Sequence, residues 1–336
     1  MRRFVTCIAA LAVLAFGSAQ AQGDVIVYSP FNDEFMQALA EPFTAETGMQ
    51  VLNIVISTGE SQSRLRAEAQ RPQADVWLSV RPAILQQAFD EDLIEAYEPA
   101  GADGVLPAYR YDEEHIQAVG TYPLVFFYNP NLVERMGIEA PTGDWDQLLD
   151  PMFEDAIVMP HPATSGTARA ALGTMLQMPI QAGGSEDDGW VYVTELNRSV
   201  AQFTRSGRAP QTLVAQGEYP IGIGFYDAVW QLQQEGFPLE VVVPNPAFAE
   251  PYGAAVVAGA PNPDGARAFM DYLLTPEAQE VLTRFGNYPI VEGVAPPEGG
   301  VDIPSDQVID VPFRWLADNT SRLLDTFQEV TQAEPQ

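Results

Sequence analysis

Thr164, Ser165, Gly166 and Thr167 stand between a short apolar run at residues 156–159 and a stretch of helical spacing at residues 168–176. The run predicts a buried strand, which Pro160 and Pro162 end. The four residues therefore sit at a strand-to-helix turn, where the first amides of the helix lack partners of their own. Two chemistries suit that position. The hydroxyls can cap their own helix, an ordinary structural role. Alternatively, the hydroxyls, a glycine that admits a ligand to the backbone and the positive end of the helix dipole form a cradle for an anion. This stretch alone leaves both open.

The elements around it repeat the arrangement. Residues 24–28 predict a strand closed by Ser29 and Pro30, after which Asn32 opens a helix. Residues 49–56 predict a second strand, and Ser57, Thr58 and Gly59 open the next helix. Residues 74–79 predict a third, with Arg81 and Pro82 starting a helix to residue 89. Strand and helix alternate at short intervals, the pattern of an α/β fold with helices on both faces of its sheets. In such sheets ligands bind beyond the carboxyl ends of the strands, where all these turns lie.

An aromatic-rich strand at residues 121–128 opens a second α/β region. It holds a short helix at 145–149, a helix predicted over 189–203, the stretch 211–216, and a strand at 219–224 running into Phe225, Tyr226 and Asp227. Strands at 239–243 and 251–257, helices at 264–274 and 276–285 and a last helix at 311–327 complete the chain, with residues 331–336 read as a disordered tail. Each candidate has a structural alternative: Asp227 as a helix cap, Tyr226 packed on Trp230, Arg81 paired with Asp90 or Glu91. Arg205 and Arg208 are further anion-binding candidates on a loop. His115 and His161, the only histidines, fit structural roles.

Composition narrows the classes. Arg2, Arg3, the apolar run 4–16 and the Ala19-Gln20-Ala21 site spell a secretory signal peptide, predicting a mature chain from Gln22 in the periplasm. The only cysteine, Cys7, lies inside it, so no disulfide or Cys-based metal site is expected. The length that remains suggests two domains. The chain has 46 acidic residues against 16 basic ones, all arginine, for a net charge of −30. Nucleic acid and anionic membrane surfaces need clustered positive charge and are therefore poor partners. An extracytoplasmic hydrolase would need a nucleophile with its base or paired carboxylates in a cleft; no G-x-S-x-G or H-E-x-x-H occurs.

The motifs "FTAETG" at 43–48, "ADVWLS" at 74–79, "PATSGTA" at 162–168, "AQGEYPIGIGF" at 215–225, "YGAAVVAGAPNPDGARAFMDYLLTPEAQ" at 252–279 and "NYPI" at 287–290 resemble those of the periplasmic solute-binding proteins of ABC importers, in the branch that binds ferric iron or 2-aminoethylphosphonate. The resemblance implies a type II two-lobed fold hinged on two or three crossing strands. Residues 22–120 with 255–290 would form one lobe, and 121–254 with 291–330 the other. It implies a monomer that delivers a small solute to an inner-membrane permease and ATPase, with no enzymatic activity and no cofactor.

Ferric-binding relatives carry adjacent tyrosines after the strand at 221–224, whereas here the pair is Phe225-Tyr226. They carry a carboxylate where this chain has Arg81. Ferric iron wants several anionic oxygens, which one tyrosine and an arginine supply poorly; a guanidinium suits a carboxylate, phosphate or phosphonate. The expected ligand is thus an oxyanion-bearing organic solute held by Asn32, Ser57, Thr58, Gly59, Arg81, Thr164, Ser165, Gly166, Thr167, Tyr226 and Asp227. Ferric iron, with Tyr226 as a metal ligand, is the alternative.

Overall fold

Among the described residues ten strands are set by short β-branched and aromatic runs: β1 (Val25–Ser29), β2 (Val51–Val55), β3 (Val76–Val80), β4 (Ile94–Glu95), β5 (Gln117–Tyr128), β6 (Ile157–Pro160), β7 (Val200–Thr204), β8 (Ile221–Phe225), β9 (Glu240–Val242) and β10 (Phe248–Val257). The α-helices are α1 (Asp33–Thr47), α2 (Thr58–Glu68), α3 (Pro82–Asp90), α4 (Pro130–Met136), α5 (Gly166–Gln181), α6 (Glu186–Leu196), α7 (Ala209–Ala215), α8 (Tyr226–Gln234), α9 (Pro263–Leu273), α10 (Pro276–Thr283) and α11 (Phe313–Thr331). The computed structural model describes residues 23–111, 113, 115–304 and 307–336. The expected signal peptide, its cleavage site and Cys7 lie outside them. Among the described residues no helix is long and apolar enough to cross a membrane.

The strands join in one mixed sheet of order β2-β1-β3-β10-β5-β8-β6-β7, with β4 beside β10 and β9 beside β5. The fold is the α/β, two-lobed arrangement expected. One parallel group, β2-β1-β3, belongs to the first lobe, and another, β8-β6-β7, to the second. The long antiparallel strands β10 and β5 run between them. Their register shifts between Tyr252 and Gly253, opposite Gly120. There a Cβ on Gly120 would run into the Tyr252 ring, so the crossing depends on glycine.

Each lobe has apolar packing on both faces of its strands. On one face of the first, Phe35, Leu39 and Phe43 recur at helical spacing along α1 and pack with Val25, Val27 and Phe269. On the other, Trp77 is fully buried and donates its indole N–H to Ser61 Oγ at 2.7 Å. In the second lobe Phe126, Trp145 and Phe153 fill one face, and Phe127, Val158 and Tyr226 the other. Burying each such side chain contributes about 1.5–3 kcal/mol.

Several elements differ from the sequence expectation. The helix expected over 189–203 stops at Leu196; Val200–Thr204 is extended and pairs parallel with β6. Residues 145–149 hold one turn of 3₁₀ helix, Asp146–Leu149. Residues 332–336, read as a disordered tail, instead follow the edge of β7: the Gln336 amide donates to the Phe203 carbonyl at 2.9 Å, and the Arg205 amide to Gln336 at 3.0 Å. His161 fastens the same segment. Its Nδ1 accepts from the Ala163 amide at 3.1 Å, which leaves Nε2 to donate to the Ala333 carbonyl at 3.2 Å.

The final helix spans the lobes. Leu323 and Phe327 of α11 enter the second lobe's core, and Arg322 pairs with Glu186 of α6 at 2.6 Å. Its first turn instead reaches the first lobe: Arg314 donates to Gln86 at 2.7 Å and pairs with Glu113 at 2.8 Å.

Candidate functional site

The strand-to-helix turns of the two lobes face each other across a cavity of about 290 Å³ between them. From the first lobe come Thr58, at the start of α2, Ser79, near the end of β3, and Arg81, between β3 and α3. Ser79 has φ of 65°, the left-handed region that non-glycine residues seldom occupy, so the backbone bends sharply as it enters the cavity wall. From the second lobe come Thr167 of α5, Ser206, Gly207 and Arg208 before α7, Phe225 at the end of β8 and Asp227 in the first turn of α8. The crossing strands supply Tyr122, Glu250 and Tyr252.

The α5 end of the cavity is rich in donors. Ser165 caps the helix, accepting from the Ala168 amide at 3.4 Å. The Gly166 and Thr167 amides belong to the first turn, which has no partner inside the helix. A Cβ on Gly207 would stand 2.8 Å from both Ser165 Oγ and Thr167 Oγ1, so only glycine lets this loop approach the helix start so closely. Likewise a Cβ on Gly166 would meet the Arg81 guanidinium at 2.5 Å, which places this first-lobe cation against the start of a second-lobe helix.

Charges in the cavity are paired. Arg81 Nε lies 2.8 Å from Glu250 Oε1; 40 % of the Arg81 side chain stays open to the cleft, against 11 % for Glu250. Burial pushes the Glu250 carboxyl up, and the neighbouring Arg81 opposes that shift. Asp227 accepts from Arg208 at 2.6 Å. Tyr122 stacks on Tyr252 with ring centres 4.6 Å apart, and burial raises both phenols well above their ordinary range. Among the described residues two buried acceptors behind this wall have no donor, Glu250 Oε2 and Gln211 Oε1.

Of the residues proposed from sequence, Thr58, Arg81, Thr167, Arg208 and Asp227 line the cavity, and Ser165 and Gly166 stand directly behind its wall. The others lie elsewhere. Asn32 accepts from the Phe35 amide at 2.9 Å as the cap of α1, and Ser57 caps α2. Gly59 is on the open side of α2, and the Thr164 hydroxyl turns back to the His161 carbonyl at 3.4 Å. Tyr226 is fully buried, packed edge-on against Tyr288 with its hydroxyl 3.4 Å from the Gly299 carbonyl. The residue of that pair facing the cavity is Phe225. Strand alternation explains the difference: β8 ends at Phe225, and Tyr226 begins the next helix on the opposite face.

Ser79, Tyr122, Gln211, Glu250 and Tyr252 were missed. Three of them sit within the crossing strands, where no capping or turn signal marks them. Only the Pro251-Tyr252 pair beside an acidic residue in an apolar run offered a hint. His115, the other histidine, stacks on Phe89 at 3.9 Å, outside the cavity.

Comparison with known proteins places this geometry. A protein of Salmonella paratyphi A with the provisional name of a 2-aminoethylphosphonate-binding periplasmic protein is 27 % identical over 303 residues, covering 86 % of each chain. The periplasmic binding protein AfuA of Actinobacillus pleuropneumoniae, solved with fructose-6-phosphate bound, is similar with a TM-score of 0.76 at 26 % identity, over 93 % of this chain and 100 % of that one. A Bordetella ferric binding protein shares the fold, with a TM-score of 0.75 at 18 % identity over 93 % of this chain and 100 % of that one. The family model described as bacterial extracellular solute-binding protein matches residues 25–287. The chain belongs to that family of bacterial extracellular solute-binding proteins.

Proposed function

We propose that the chain captures a small organic solute bearing an oxyanion, a phosphate ester, phosphonate or carboxylate, between its lobes and delivers it to an inner-membrane ABC permease and ATPase. The oxyanion sits at the start of α5, against Thr167 and the Gly166 and Thr167 amides, with Arg81 opposite. The rest of the solute meets Glu250, Gln211 and the stacked Tyr122 and Tyr252. The protein acts as a monomer in the periplasm and carries out no reaction of its own. One observation carries this reading: the residue facing the cavity after β8 is Phe225, without an oxygen, while Tyr226 is buried in the second lobe. The two carboxylates on the wall are already paired, Glu250 with Arg81 and Asp227 with Arg208, and burial keeps the Tyr122 and Tyr252 phenols protonated, so a hard ferric ion would have to displace cations or protons to gain its anionic oxygens.

The test is a thermal-shift panel on purified residues 22–336 after bound solute has been removed by partial unfolding. It includes 2-aminoethylphosphonate, sugar phosphates, small carboxylates and ferric citrate. The expected result is a concentration-dependent rise in Tm with a phosphonate, phosphate ester or carboxylate, about 2.7 kcal/mol of stabilisation at a hundredfold excess over Kd. No product should form by phosphorus NMR over hours. A rise with ferric citrate alone, with a coloured complex, would replace the organic anion by iron.

A further inference from the structure

The Arg81–Glu250 pair divides the space between the lobes. Beyond it lies a larger cavity of about 910 Å³, bounded by α3, residues 107–111, β10, the first turns of α5 and the first half of α11. The solute reading makes no use of it. Its wall collects Arg81, Arg110, Arg169 and Arg314, four of the 16 basic residues in a chain with 46 acidic ones. Two of these are matched, Arg81 by Glu250 and Arg314 by Glu113, each at 2.8 Å. The other two form no salt bridge within 4.0 Å among the described residues, although Glu250 is near enough to attract Arg169. Arg169 donates to the Pro162 carbonyl at 3.1 Å, and Arg110 to the Val105 and Asp103 carbonyls. Facing these cations is an apolar surface made by Ile84, Phe248, Ile309, Phe313 and Leu316.

A half-buried guanidinium bonded only to a neutral carbonyl, beside apolar surface, is complementary to an anion with an apolar body. We propose that this chamber is a second binding site, for an organic anion with one carboxylate or sulfonate on an aromatic or aliphatic skeleton, its charge at Arg169 and its body against Ile84, Phe248 and Phe313. The walls come from both lobes and from α11, so an occupant bridges them. Because the chamber shares Arg81, Glu250 and Pro251 with the smaller cavity, occupancy of one affects the other. The proposal does not depend on which solute the smaller cavity takes.

The test is a fluorescence titration of the mature protein with 1-anilinonaphthalene-8-sulfonate, competed with 4-phenylbutanoate. The expected result is saturable binding at one site per chain, displaced by the carboxylate. It should weaken at least tenfold in Arg169→Gln and be lost in Ala317→Trp, which fills the chamber from α11, but persist in Thr167→Val. Circular-dichroism melts check that each variant folds, and either chamber variant alone decides the matter. The proposal is overturned if the wild type shows no saturable binding, if binding survives the folded chamber variants, or if Thr167→Val abolishes it. It also fails if neither chamber variant folds, because those positions would then serve packing.

Discussion

Arg81 and Glu250 should respond to substitution in opposite directions. Removing the cation in Arg81→Ala leaves Glu250 buried without its partner, which costs about 1–3 kcal/mol of stability and also weakens an oxyanion solute. Glu250→Gln removes the charge that occupies Arg81, and should tighten the same solute several-fold by isothermal titration. A loss of affinity in Glu250→Gln would instead mean that the solute donates a hydrogen bond to this carboxylate. The turn residues Arg81, Thr167 and Asp227 were legible in sequence because each stands where a strand ends and a helix begins, and that local grammar predicts exposure at a strand's carboxyl end. Glu250 was not. Its role depends on contact with a residue 169 positions earlier in the chain, and a strand's period of two assigns it only a face. Asn32 and Ser57 carry the same local grammar as Thr167, yet their side chains spend it on capping, a use that sequence alone leaves open beside ligand binding.

At the scale of elements, the alternation of strand and helix was readable through most of the chain because each element carries its own period. Strand β7 escaped because Val200-Ala-Gln-Phe-Thr204 follows a helix with only Asn197, Arg198 and Ser199 between, too short a break to notice. The terminal segment escaped for another reason: it carries no propensity of its own and gains order only from the edge of β7 and from His161. His161 gives a pH signature. Burial pushes the His161 imidazole down, although the Ala333 carbonyl opposes this. The unfolded chain, with an ordinary pKa of about 6.5, then binds the proton more readily than the folded one. The stability that the neutral imidazole contributes to the fold is at full strength above that value and weakens as pH falls through it, until the lower folded pKa is passed. Urea denaturation should show the wild type losing more stability than His161→Phe between pH 7.5 and pH 5.5.

At the scale of the molecule, two lobes on one continuous sheet, crossed by β5 and β10, set the cleft, and α11 adds a second link between them through Arg314 and Phe327. Composition argued against polyanionic partners, but it did not say where the few arginines gather, since that depends on the folded arrangement of distant segments. The pairing of Arg81 with Glu250 and of Arg208 with Asp227 has a kinetic consequence. With its own cations matched, the cavity projects little positive potential outward, while the chain as a whole carries a net charge of −30. An approaching anion is therefore slowed by the protein it is about to enter, and feels the donors of α5 only at short range. Salt screens the repulsion first, because the Debye length falls from roughly 20 Å at 0.02 M to about 6 Å at 0.3 M. Stopped-flow measurement across that range should show the association rate rising about twofold or more with ionic strength, the reverse of electrostatically steered capture. A solute encounter of this kind proceeds best in a salty medium.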